Sequence, residues 1–232
     1  MLVLGILWYA VFVASATLHE AAHAFVGFKL GDKTAFHGGQ VTLNPIPHIL
    51  REPIGMIVIP WVSYAAAGWM MGWASAPYDP AWAQYYPKRA AWMALSGPGA
   101  NLLLVILAGI LVHLGIALGF FHAPTSIVFA RVVEANSDGW MKGLAIVISI
   151  FFSLNLVLFV FNMIPIAPLD GRAWLELLLK GDLLYKYQMI MMHPSFRIFG
   201  IFIAWMIMRF IYGPIFTLAL NLLYLFRGLR YG

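Results

Sequence analysis

The chain has 232 residues with a formal net charge of +5; 62% of them are apolar, only 10% are charged, and the mean hydropathy is +0.86. A soluble globular domain carries about 45–50% apolar and about 25% charged residues, so the composition excludes one and indicates an integral membrane protein. The absence of cysteine excludes disulfides and thiolate metal sites, and no basic run or aromatic–basic RNA motif points to nucleic acid.

Apolar runs of membrane-spanning length recur, which predicts an all-α polytopic membrane protein with about four to six membrane segments rather than a barrel. The first run extends from about Leu2 to Phe28 and ends at Lys29. It lacks a basic leader and a convincing cleavage site, so it reads as a retained span. In the polar interlude LGDKTAFHGGQVTLNPIPHILREP, residues 30–53, the segments TAF and QVTL flank HGG. That spacing predicts a short membrane-associated β-hairpin over residues 33–43. Residues 54–74 are apolar again but interrupted by Pro60 and glycines, and ASAPYDPAWAQYYPKR then reads as an extended loop.

A strong span over residues 90–119 follows, then a short loop with Arg131, Glu134 and Asp138, then a second strong span from about Leu144 to Met163. A mixed segment up to His193 fits an interfacial helix. The last apolar stretch, 198–226, is broken at Arg209 and at Gly213–Pro214 and fits either one or two crossings. No repeat or linker is visible, so residues 1–232 are expected to form a single membrane domain, with a core over about 2–180 and C-terminal membrane segments over about 198–226.

The segment SATLHEAAHAFVGF, residues 15–28, puts His19, Glu20 and His23 inside the first span. Ionisable groups are costly in lipid and are retained there for function. Residues four apart share a helix face, so His19 and His23 can offer ring nitrogens to one metal ion. Glu20 can reach a water beside that metal; this is the H-E-x-x-H pattern, with glutamate as general base. The plainer reading is a pair of histidines hydrogen-bonding between helices, but three such groups in one apolar span favour the metal. A catalytic zinc usually needs a third protein ligand.

Asp170, in NMIPIAPLDG, is the candidate, because Pro165 and Pro168 stop the preceding helix and force an irregular backbone. Irregular backbone at membrane depth belongs in protein or beside a water-filled cavity. An ordinary Asp-Gly turn at the membrane surface explains that residue equally well. Of the other histidines, His113 reads as a hydrogen-bonding group, His37, His122 and His193 as solvated, and His48 as lining the site or capping a turn.

Topology tests the Asp170 assignment. If residues 54–74 cross the membrane, Asp170 and His19 emerge on opposite sides; if that segment is re-entrant, both lie on one side. The second arrangement groups Lys29, Lys33, Arg51, Lys88, Arg89, Arg172, Lys180, Lys186 and Arg197 together, against Arg131 and Lys142. This is the positive-inside pattern, with the N-terminus outside and the site toward the cytoplasm.

HEAAH (19–23), SGPGAN (96–101), NMIPIAPLDG (162–171), GDKTAFHGGQVTLNPIPHI and GWASAP together resemble the site-2 proteases, intramembrane zinc metalloproteases, in their compact prokaryotic branch. Ser75 stands where that branch has lysine, and Arg51–Glu52 where it has Asp-Pro. The resemblance implies one zinc per chain held by His19, His23 and Asp170, Glu20 as catalytic base, and Asn101 and Asn162 at the substrate or the developing oxyanion. It implies peptide-bond hydrolysis in a multi-pass protein of the cell membrane, with the lipid bilayer and transmembrane segments of other proteins as partners. A homo-oligomer is left open. The competing readings are a catalytically silent scaffold of the same fold, a metal transporter with ligands spread along a path, and a prenyl-protein protease using Glu176.

Overall fold

The computed structural model describes residues 2–231, the side chains of Arg197, Ile198 and Phe226 excepted. Arg197, one of the basic residues used to orient the chain, therefore lies outside the described residues. The chain is divided into two compact units, Met1–Asn101 and Leu102–Gly232.

The first unit opens with α1, Leu2–Leu30, a 29-residue helix. After it come α2 (Thr34–His37), α3 (Pro45–Arg51), a π-helical turn over Ile54–Val58 that runs into α4 (Ile59–Ala67), α5 (Pro80–Tyr85) and the start of α6 (Pro87–Ala117). Trp8 and Phe12 of α1 are buried with Met56 and Met70, and the Tyr9 ring lies tilted against Trp61 of α4, centroids 5.5 Å apart.

The hairpin predicted over residues 33–43 is not formed. Asp32 Oδ1 accepts from Thr34 N at 2.9 Å and from Thr34 Oγ1 at 2.6 Å, which turns the chain into α2. A local side-chain bond of this kind competes with strand pairing. Gly39, at φ +71°, then ends the turn, and Asn44 caps α3 by accepting from Ile46 N at 3.0 Å, with Pro45 in the first helical position. QVTL thus lies between two helix termini with no strand to pair.

Asp32 also accepts from Asp79 N at 3.0 Å through Oδ2, so one buried carboxylate ties the end of α1 to the loop before α5. Asp32→Ala leaves three donors unsatisfied and is expected to cost about 1–3 kcal/mol. The readout is the thermal midpoint of the detergent-purified protein; an unchanged midpoint would show that this carboxylate does not hold the loop.

Ile54–Ala67 comprises 5 π-helical and 9 α-helical residues, about 21 Å of rise against the roughly 30 Å of a hydrocarbon core. The chain then doubles back. Ser63 bonds Met71, Trp73 N donates to Gly55 O at 3.3 Å, and Ser75 Oγ donates to Glu52 at 2.5 Å. Glycine at positions 55 and 72 makes the return possible: a Cβ on Gly55 would collide with the Trp73 carbonyl, and one on Gly72 with the Gly55 carbonyl. The segment leaves and comes back beside its own start, as a re-entrant element must.

The second unit contains the rest of α6, a two-stranded antiparallel pair of β1 (Phe121–His122) with β2 (Glu134–Ala135), then α7 (Trp140–Asn162), α8 (Arg172–Leu178), α9 (Gly181–Met192), α10 (Pro194–Leu223) and a 3-10 turn, Leu225–Arg227. Ser149 of α7 fastens the loop by accepting from Val132 N and Val133 N at 2.9 and 3.2 Å. The last apolar stretch is one helix. Pro214 and Gly213 do not break it, because a membrane-length helix tolerates proline where neighbours compensate. α10 packs on α7 through Trp205 on Phe161 at 5.1 Å and Tyr212 on the Ser153 carbonyl.

Four helices among the described residues are long and apolar enough to cross a membrane: Leu2–Leu30, Pro87–Ala117, Trp140–Asn162 and Phe199–Leu223. The protein is an all-α polytopic membrane protein.

Candidate metal centre

His19, Glu20 and His23 are all buried in α1, and their ligand atoms lie within 4.8 Å of one another. The two rings meet edge-on, with centroids 4.7 Å apart and Nε2 facing Nε2 at 3.0 Å. Their other nitrogens are committed. His19 Nδ1–H donates to Asn101 Oδ1 at 2.6 Å, and His23 Nδ1–H donates to the Met93 carbonyl at 2.8 Å. A carbonyl oxygen can only accept, so each Nδ1 carries the proton. With each Nδ1 donating, the two Nε2 atoms face each other with lone pairs available to a shared cation. Histidine ligands characteristically donate their far N–H to a carbonyl, so this pair fits a metal centre.

Both anchors come from α6, where the motif SGPGAN acts locally. Pro98 lacks the N–H that would bond the Ala94 carbonyl and loosens this turn of the helix. Met93 O, one residue earlier, receives His23 together with the Ser96 hydroxyl at 2.6 Å. Gly97 faces the rings directly. A Cβ there would stand 2.6 Å from His19 Nε2 and closer still to His23 Nε2. Gly97 and the Met93 carbonyl are the two site elements that the motifs did not single out; a glycine-proline step inside an apolar span was the available signal.

Asn101 is fully buried against His19, so its carbonyl is already used to orient a ring. Asn162, at the end of α7, donates from Nδ2 to Leu158 O at 3.1 Å. Asp170 belongs to the second unit and is half-buried in the irregular turn between α7 and α8. That turn is braced from within its own unit. Trp174 Nε1 donates to Met163 O at 3.0 Å, Tyr187 OH donates to Pro165 O at 3.0 Å, and Gly171 packs on the Met163 and Ile164 backbone. Burial, with Glu176 adding to it, pushes the Tyr187 phenol up to about 12, so it stays a donor at any physiological pH. His48 is buried in α3 and bonds Thr42 O at 3.1 Å, as a turn-holding residue; His113 is half-buried on α6.

Fold and site together define a polytopic membrane protein carrying a His-Glu-His group that could hold a metal ion. The chain is similar to the "Putative zinc metalloprotease YwhC" of Bacillus subtilis, 35% identical over 167 residues, which is 71% of this chain and 65% of that protein. It is also similar to proteins named "Putative zinc metalloprotease Rip2" from Mycolicibacterium smegmatis, at 29% identity over 74% of this chain and 56% of that protein, and from Mycobacterium tuberculosis, at 28% over 71% and 54%. The chain thus spans a little over half to about two thirds of the length of these relatives. No protein-family model matches it, and no solved structure matches it. The relatives support a zinc metalloprotease family for this chain.

Proposed function

We propose that the chain is an intramembrane zinc metalloprotease of the site-2 type, hydrolysing peptide bonds in or beside transmembrane segments of other membrane proteins. The observation that carries the reading is the histidine pair, whose Nε2 lone pairs converge while both Nδ1 protons are held by α6. His19 and His23 would hold one zinc, with Asp170 as the third ligand. Bound there, zinc would supply a Lewis acid that polarises the scissile carbonyl and acidifies water.

The rest is the work of the chain's own residues. Glu20, next to the first ligand and buried, takes a proton from the attacking water and hands it to the leaving amine. Asn101 fixes the His19 ring and its tautomer, which makes it a positioning residue. Asn162, half-buried at the end of α7, is the side chain left to contact the substrate or its oxyanion. The doubling-back of residues 54–75 supports a site facing the cytoplasm, because it leaves the basic residues Lys29, Lys33, Arg51, Lys88 and Arg89 on one side.

Metal content tests the ligand set. The parent protein is expected to hold one zinc per chain and Asp170→Ala to lose at least tenfold in zinc affinity, with cleavage of a model transmembrane substrate lost as well. Full zinc in Asp170→Ala would remove that residue from the ligand set, and no zinc in the parent would remove the centre.

A further inference from the structure

α5, the first turn of α6 and the end of α1 bring together a second polar constellation unrelated to the histidines. Trp82 Nε1 is buried and meets no acceptor among the described residues. Beside it stands Arg89, whose guanidinium lies 4.4 Å over the Tyr86 ring and spends one NH1 hydrogen on the Leu30 carbonyl at 3.2 Å. No carboxylate pairs with Arg89 among the described residues. The two donors converge on the place where Gly31 has no side chain. A Cβ built there would be 3.6 Å from Trp82 Nε1 and 3.9 Å from Arg89 NH1, with nothing nearer. Gly31 sits at φ +110°, so no other residue comfortably fills that space.

The surroundings define the ligand's charge. Lys29 and Lys88 are the sequence neighbours of Leu30 and Arg89, and the nearby acids are engaged elsewhere. Asp32 takes Thr34 and Asp79, and Asp79 caps α5 through Ala81 N at 2.8 Å. A buried N–H without an acceptor is costly, and a guanidinium fork favours phosphate. The position lies just beyond the end of a membrane-length helix, among exposed Tyr85, Tyr86 and Trp92. An aromatic girdle of this kind marks the headgroup level of a bilayer, where basic residues meet anionic lipid.

We propose that Trp82, Arg89 and the gap over Gly31 form a binding site for the phosphate of a membrane phospholipid. One phosphate oxygen takes a hydrogen bond from the indole N–H and one from the guanidinium, while the acyl chains lie along the apolar face of α1. The lipid is held where Asp32 ties the end of α1 to the loop before α5, so its binding orders that junction.

The test is native mass spectrometry of the full chain in detergent, titrated with phosphatidylglycerol or with diacylglycerol bearing the same acyl chains. The variants are Trp82→Phe, which keeps the ring and removes only the N–H, and Arg89→Gln. The parent is expected to bind phosphatidylglycerol and not diacylglycerol, with the affinity about tenfold weaker in each variant. Excess inorganic phosphate should not displace the lipid. Equal binding of both lipids, or undiminished phosphatidylglycerol binding in Trp82→Phe, overturns the site. Displacement by inorganic phosphate overturns the lipid as its ligand and assigns it to free phosphate. Should Arg89→Gln fail to fold, Trp82→Phe decides alone.

Discussion

Gly97→Ala is expected to abolish metal binding while leaving the helices intact. The added carbon would lie 2.6 Å from His19 Nε2 and nearer to His23 Nε2, whereas carbon makes its best non-bonded contacts at about 3.5–4.0 Å. Neither ring has freedom to retreat, since Asn101 holds one and the Met93 carbonyl the other. Relief therefore requires a shift of about 1 Å in a ligand nitrogen, and metal–ligand distances tolerate only about 0.2 Å. The comparison is Gly99→Ala, two residues along the same helix, where a Cβ meets nothing within 4 Å. Both changes improve helix propensity by about 1 kcal/mol, so a loss of zinc in the first and not in the second isolates the steric effect. Zinc retained at the parent level in Gly97→Ala would disprove the centre as drawn.

Glu20→Gln should give the opposite pattern, with zinc kept and cleavage lost. The amide has the shape of the carboxylate and leaves the anchors on Asn101 and Met93 untouched, so both histidines stay oriented. It cannot accept the water's proton. Loss of a positioned general base typically costs about 10²–10⁴ in rate. A turnover series on a transmembrane substrate, run beside metal analysis, separates the two effects. Cleavage at the parent rate would assign the base elsewhere. The two substitutions together distinguish a residue that moves protons from one that makes room.

What could be read before folding follows the range of the interactions involved. The long spans were plain from hydropathy, and the structure places them at Leu2–Leu30, Pro87–Ala117, Trp140–Asn162 and Phe199–Leu223. The histidine pair was equally plain, because a spacing of four residues is a property of one helix. The end of α7 at Asn162 follows from Pro165 and Pro168. The hairpin failed for a local reason: alternation in TAF and QVTL suggested strands, while Asp32 and Asn44, both strong helix-capping types, decided for helices. Gly97 could not be weighed from spacing alone, since its meaning lies in a ring contributed by a residue about seventy positions away. The strand pair at Phe121 and Glu134 involves two residues on each side, too few for any periodic signal.

The anchoring of α1 by α6 also has a consequence for synthesis. His19 and Asn101 are separated by 82 residues, so at ribosomal rates of roughly 5–20 residues per second α1 waits about 4–16 s for its partner. During that interval His19 and His23 face the translocon or the bilayer without the Asn101 and Met93 carbonyls that later hold them. The nascent helix is therefore at its most lipid-averse when it first inserts, and it becomes a settled membrane segment only when α6 arrives.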